Sequence, residues 1–270
     1  MPRVTEIRVY PIKSCAGLFV GHAAVEPRGL SWDRRFMLVD GRGRFLTQRE
    51  HPRMARLIVR ENAAGWTVDA RNLPSLELPR RLRGETQCSV RIWNDRLELA
   101  VAGARFDAWF STALGFPCRL VQMCDRHRRP LKPGRGTAAD VVSLADGAPV
   151  LLISEASLAA LNRRLARPVP MIRFRPNLVV TADRPFAEDD WRRIRVGEAE
   201  FEVAWPCTRC VVTTIDVETA RKDPNEEPIR TLKGFRAGRE GVMFGQNLIP
   251  RRLGTVRVGD SVEVLEEVDR

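Results

Sequence analysis

Apolar residues come in short bursts along most of this chain, interleaved with charged ones at the period of two that marks half-buried strands. "VTEIRVYPI" sets Val4, Ile7 and Val9 among polar neighbours, and Pro11 ends it. "FMLVDGRGRFLTQ" flanks Asp40-Gly41-Arg42-Gly43 with apolar residues, and its glycines permit the positive φ of a hairpin turn. Gly65, Asn72-Leu73-Pro74 and Asn94-Asp95 punctuate further short strands. Later, "RIRVGEAEFEVA" and "TVRVGDSVEVLE" predict two hairpins turning at Gly197-Glu198 and Gly259-Asp260. "RPNLVVTA" is a short apolar run behind Pro176, a proline that biases Arg175 toward extended backbone.

Two segments change to the helical period. In "ARFDAWFSTALG", Phe106, Trp109, Phe110, Ala113 and Leu114 share one face, and Gly115 is the stop. In "SEASLAALNRRLA", Ser154 is the N-cap, with Leu158, Leu161 and Leu165 on one face. Residues 125–146 are polar, basic and rich in Pro and Gly, and read as a linker or mobile loop. "VVTTID" after Cys210 is rich in β-branched residues and reads as strand. Many short strands with few helices predict an α+β chain, predominantly β, in two lobes of barrel-like or sandwich structure.

Composition narrows the class. The chain has 270 residues, 44% hydrophobic and 29% charged, which suits a folded globular protein. No apolar run reaches the ~20 residues of a membrane span. "MPRVTEIRVYPIKSC" carries charges where a signal peptide needs an apolar core, so a cytoplasmic location without structural disulfides is expected. The net charge of +11 invites a nucleic-acid reading. Yet the 45 basic residues include only four lysines, Lys13, Lys132, Lys222 and Lys233, a bias that source composition explains as well as binding does. The clusters Arg80-Arg81 and Arg126 to Arg129 with Lys132 and Arg135 read as solvated loops, and nucleic acid is not the expected partner.

The chemistry concentrates in three places. Cys207 and Cys210 stand three apart, with Arg209 before the second. A structural zinc site needs a second close pair, and Cys15, Cys88, Cys118 and Cys124 provide none. Two buried thiols, or one functional thiolate favoured by Arg209, remain open. In "RFRPN", Arg175 and Asn177 offer a guanidinium fork for phosphate or carboxylate and an amide at a strand start; a surface arginine and a turn asparagine are the plain alternative. In "YPIKSC", Lys13 and Ser14 follow a strand and a proline, where they could meet an oxyanion or simply close a loop. Phosphate-loop, dinucleotide-binding and HExxH motifs are absent.

"YPIKSCAG", "GLSWDRRFMLVDGRGRFLTQRE", "LISEASLAALNRRL", "RFRPN", "CTRCVVTTID", "LKGFR" and "FGQNL", in this order across the chain, resemble the MOSC family with its N-terminal β-barrel companion domain. Within it, the resemblance is to the mitochondrial amidoxime-reducing components and their bacterial counterparts. It implies an N-terminal β-barrel domain over 1–122 and a MOSC β-barrel domain with a few helices over 123–270. It also implies a molybdenum cofactor, with Cys210 as the metal ligand and Lys13, Ser14, Arg34, Arg175, Asn177 and Arg209 as cofactor contacts. The implied activity is reduction of N-hydroxylated compounds (amidoximes, hydroxylamines, N-hydroxylated bases). A cofactor or sulfur carrier without reductase activity is the alternative. Two positions that often carry hydroxyls in the family are Gly147 and Ala148 here. The sequence has no C-x4-C-x2-C pattern, so the expected electron source is a separate ferredoxin, flavodoxin or cytochrome-b5-like protein.

Overall fold

The computed structural model of the chain describes residues 1–82 and 86–268. Strands predominate, with three α-helices among the described residues, so the chain is α+β and mostly β. The largest sheet runs Val262–Glu267, Trp191–Val196, Ala199–Thr208, Gly241–Arg252, Val150–Ser154, Leu178–Val180, Val4–Val9, Leu18–Val20, and Ala237–Gly238 adds to Gly241–Arg252. Its neighbours pair antiparallel, except Val150–Ser154 with Leu178–Val180, which are parallel.

The chain's first strand therefore lies in the sheet built by its second half. Val4, Ile7 and Val9 join one apolar core with Leu178, Ile194, Phe201 and Leu248. Strand pairing thus crosses residue 122: Val4–Val9 pairs with Leu178–Val180, and His22–Glu26 pairs with Gly254–Arg257. The other lobe holds the sheet Phe36–Val39, Arg119–Gln122, Asp95–Val101, Gln87–Ile92 and a three-stranded sheet of Ile58–Asn62, Gly65–Asp69 and Leu76–Pro79. Helix α1, Ala104–Leu114, closes its core, burying Phe110 and Leu114 against Phe36, Leu38, Trp66 and Leu120. Gly115 ends α1 in the left-handed conformation, with φ 83°.

Helix α2, Glu155–Asn162, starts at Ser154, whose hydroxyl accepts the Ser157 N–H as an N-cap. It stops short of Leu165, which packs beside Leu161 from the following turn. Helix α3, Ile229–Arg236, has no counterpart in the sequence reading; it is only eight residues long, polar at half its positions, buries only Leu232 and contains Gly234.

Three expectations need correction. Gly254–Arg257 and Val262–Glu267 do not form a hairpin with each other. The first pairs with His22–Glu26 and the second with Trp191–Val196. Val256 and Val262 enter the same core from different sheets, so one alternating pattern serves two partners. Residues 125–146 are not a free linker throughout: residues 132–134 and 136–139 are exposed, but Arg129, Leu131 and residues 141–145 are buried. Leu131, Val142 and Ala145 pack on Ile249, and Arg129 is 2% exposed, donating to the carbonyls of Ser143 and Ala145 and to Asp95. Arg129 is thus no solvated-loop residue. Finally, Val211–Thr214 is a single 3-10 turn, not a strand, with the Thr213 and Thr214 hydroxyls bonded back to the carbonyls of Cys210 and Val211.

Candidate functional site

All seven residues singled out by the sequence line one cavity between the two lobes. Lys13 and Ser14 come from the turn after Val4–Val9, and Arg34 from the loop before Phe36–Val39. Arg175 and Asn177 precede Leu178–Val180, and Arg209 and Cys210 follow Ala199–Thr208. Ser14, Arg34 and Arg175 all hold left-handed backbone, with φ of 66°, 48° and 55°. Such residues cost about 1–3 kcal/mol each and persist where surroundings over-determine them, typically at functional sites.

Arg175 departs from the extended backbone that Pro176 favours, because it caps the 3-10 turn Met171–Phe174, its N–H bonded to the Ile172 carbonyl. Its Nη1 donates to the Cys15 carbonyl at 2.8 Å, and its own carbonyl accepts from Arg34 Nη2 at 3.3 Å. Both guanidinium groups stack on Tyr10, each 4.2 Å from the ring centroid. Tyr10 is fully buried, and its hydroxyl donates to the Pro176 carbonyl at 3.1 Å. Gly17 makes room for it: a Cβ there would lie 2.3 Å from the ring. Arg34 also donates to Asp33 at 2.6 Å and to Asn177 Oδ1 at 3.1 Å. The Asn177 amide further accepts the Leu151 N–H and donates to the Arg8 carbonyl, so it mainly positions Arg34 and keeps one N–H for a ligand. The Ser14 hydroxyl makes no hydrogen bond among the described residues, while its carbonyl takes Gln48 Nε2 at 2.6 Å.

The far end of the cavity centres on Asp146. Lys13, 5% exposed, donates to Asp146 and, at 2.8 Å, to the Leu144 carbonyl. Arg49 reaches the other carboxylate oxygen at 2.8 Å, and the Trp93 indole N–H approaches the first at 3.3 Å. Burial works against the Asp146 charge, but Lys13 and Arg49 outweigh it and hold the carboxyl below the usual carboxylate range. Burial lowers Lys13 to about 8, with Asp146 opposing.

Arg49 is the residue the sequence reading missed. Its Nη2 lies 3.3 Å from Cys210 Sγ, so Arg49 is the cation at this thiol. Arg209, expected beside Cys210, points elsewhere: Nη1 donates to Cys207 Sγ at 3.0 Å and Nη2 to the Phe174 carbonyl at 2.5 Å. In an extended segment, adjacent side chains point to opposite sides, so Arg209 meets Cys207 two residues away. "LTQRE" has no periodicity that marks Arg49, and only the fold brings it to Cys210 across 161 residues.

Among the described residues, no three His, Cys, Asp or Glu side chains cluster to hold a metal, so a metal at Cys210 needs ligands brought with it. The cavity suits an anion. Arg175 Nη2 and Arg209 Nε are buried without an acceptor, against the rule that buried donors are satisfied. Burial lowers Arg175 only to about 10, so it stays charged at neutral pH. A Cβ at Gly147 would meet nothing within 4 Å, so the wall is open where the hydroxyl positions are lost.

Two family models match: the MOSC N-terminal beta barrel domain over residues 1–117 and the MOSC domain over residues 139–263. The chain is 34% identical to mitochondrial amidoxime-reducing component 1 of Mus musculus, covering 97% of this chain and 82% of that one. It is 31% identical to the Homo sapiens protein of the same name, with the same coverage. It is also 31% identical to the molybdenum cofactor sulfurase of Danio rerio, over 90% of this chain but 31% of that longer protein. No helix of the described residues is long and apolar enough to cross a membrane.

Proposed function

The chain belongs to the MOSC family with an N-terminal MOSC β-barrel domain, and on that premise we propose that it is a molybdenum-cofactor-dependent reductase of N-hydroxylated compounds. The observation that carries this is the Cys210 thiol in a cavity where Arg175 and Arg209 present buried N–H groups without acceptors.

The residues divide the work. Cys210 would hold molybdenum through its thiolate, with Arg49 stabilising the sulfur's negative charge. Arg175, Arg209, Lys13 and Arg34 would offset the cofactor's phosphate and pterin charge. Ser14 and the remaining Asn177 N–H would hydrogen-bond it. Tyr10 fixes Arg34 and Arg175 by stacking between the lobes. The bound cofactor supplies two-electron reduction, by which the N-hydroxyl oxygen leaves as water. The protein binds, orients and sets the field.

Electrons come, on this reading, from a separate carrier, since molybdenum alone does not take hydride from a nicotinamide. Benzamidoxime incubated with cofactor-loaded protein and NADH alone should stay unreduced, whereas reduced viologen should give benzamidine. Turnover with NADH alone in a carrier-free sample contradicts the partner claim. The match to a molybdenum cofactor sulfurase supports a second reading, a sulfur carrier. A persulfide on Cys210 in metal-free protein, with no turnover by any donor, would establish it.

A further inference from the structure

A second cleft between the two lobes shares one wall with the main cavity. Gln48 and Arg175 line both, and every other lining residue differs. The cleft encloses about 530 Å³, within the usual range of small-molecule sites, which favour such domain boundaries. Its apolar lining is drawn from both lobes: Ala55, Ile58 and Ala70 from one, Ile172 and Val217 from the other, with Ala16 beside them. Ile58 is 45% exposed, an apolar β-branched side chain left at the edge of water.

What the lining lacks narrows the ligand. No aromatic side chain lines the cleft, and its one neutral polar side chain, Gln48, already donates to the Ser14 carbonyl at 2.6 Å. Stacking is therefore missing, and neutral hydrogen bonding rests on a single engaged amide, so a nucleobase, a sugar or an aryl group would find little to hold it. Apolar contact and charge remain, and the charges do not cancel. Arg8 is paired with Glu6, and Asp69 is occupied by Arg60 and the Ser75 hydroxyl. Among the described residues, the Arg56 and Arg71 guanidinium groups have no acceptor, and buried Arg175 has no carboxylate partner. Against these three cations stands one unpaired acid, the exposed Glu218.

We infer that this cleft is a second ligand site and that it takes an aliphatic carboxylate, its chain against the apolar lining and its head on Arg56 and Arg71. A guanidinium fork matches a carboxylate with two parallel hydrogen bonds. Each methylene moved from water onto an apolar lining adds about fourfold in affinity. Charge sets the head group and the lining sets the body, so neither alone suffices. The site does not depend on the reductase reading, because only Gln48 and Arg175 belong to both cavities.

Isothermal calorimetry of the purified protein with hexanoate, octanoate and neutral octanol tests this. Wild type should bind octanoate saturably at one site, about fifteenfold more tightly than hexanoate, the effect of two methylenes. The double variant Arg56→Ala/Arg71→Ala should lose about tenfold or more for octanoate. It should bind octanol as wild type does, which shows that the fold is intact and that charge is what was lost. Ile58→Ser should weaken both ligands. Leu253→Ser, at a leucine 51% exposed outside the cleft, should bind octanoate like wild type and so exclude general adsorption to apolar surface. No saturable octanoate binding in wild type, or equal binding in wild type, the double arginine variant and Ile58→Ser, overturns the site. Turnover is not read in any arm, so failure of the reductase reading leaves this result standing.

Discussion

On the wall of the cavity reached by Lys13, Arg34 and Arg49, each cation already has an acid: Lys13 and Arg49 share Asp146, and Arg34 holds Asp33. Beside them, Arg175 and Arg209 donate to the carbonyls of Cys15 and Phe174 and to Cys207. Among the described residues, neither has a carboxylate partner, and each keeps a buried N–H without an acceptor. A buried cation left unpaired is costly. The difference teaches which cations still lack acceptors. On the function proposed here, the acid-paired cations share their charge with a ligand, whereas Arg175 and Arg209 would gain their missing acceptors from a bound anion.

The sharpest break in this comparison is at sulfur. Cys210→Ser should abolish N-hydroxy reduction, and Cys207→Ser should leave a substantial fraction, read as initial rates with reduced viologen. The two thiols have different cations, Arg49 at Cys210 and Arg209 at Cys207, so equal losses would contradict separate roles. Next in size is the comparison of cations itself. Arg175→Ala should lower pterin affinity by about tenfold to hundredfold, the scale of a charge-assisted hydrogen bond of roughly 1.5–3 kcal/mol. Lys13→Ala should cost less, because Lys13 gives up Asp146 in exchange. Pterin content by fluorescence after cofactor extraction reads both, and an equal or larger loss in Lys13→Ala reverses the ranking.

A smaller effect follows from Lys13 titrating near 8. Below that pH it is a cation and contributes to anion retention; as pH rises through about 8 the contribution fades, unless the bound anion holds the proton on and binding takes up a proton instead. Folding stability of the unliganded protein runs the other way. Between about 8 and 10.5 the unfolded lysine binds more protons than the folded one, so burial of Lys13 makes stability rise with pH across that window. Pterin retention across a pH series should fall on the alkaline side in wild type and less in Lys13→Arg. Identical profiles would remove Lys13 from the anion's reach.

Much of this site was readable from residue type because its chemistry is extreme: a thiol pair, an arginine before a proline, a lysine after a strand. Helices α1 and α2 were readable because Phe110 and Leu161 sit on unbroken apolar faces, and Ser154 is a strong cap. What escaped depends on distant pairing. Arg49 and Asp146 lie in polar, aperiodic turns, and only the fold sets them at Cys210 and Lys13. Arg209 was assigned to the wrong cysteine because adjacency in sequence is not adjacency of side chains in extended backbone. Arg175 took the left-handed conformation against its local preference because the 3-10 turn, Cys15 and Tyr10 jointly hold it. The alternation around Gly259 was real, but its two halves answer to different sheets.

The central claim is that both sets of cations hold a molybdenum cofactor whose metal is held by Cys210. Elemental analysis for molybdenum on freshly purified protein, wild type beside Cys210→Ser and Cys207→Ser, tests it most directly. The account predicts molybdenum near one atom per chain in wild type and in Cys207→Ser, with a sharp fall in Cys210→Ser. Wild-type protein free of molybdenum and pterin after expression in a cofactor-producing host, or equal metal in all three, would contradict it.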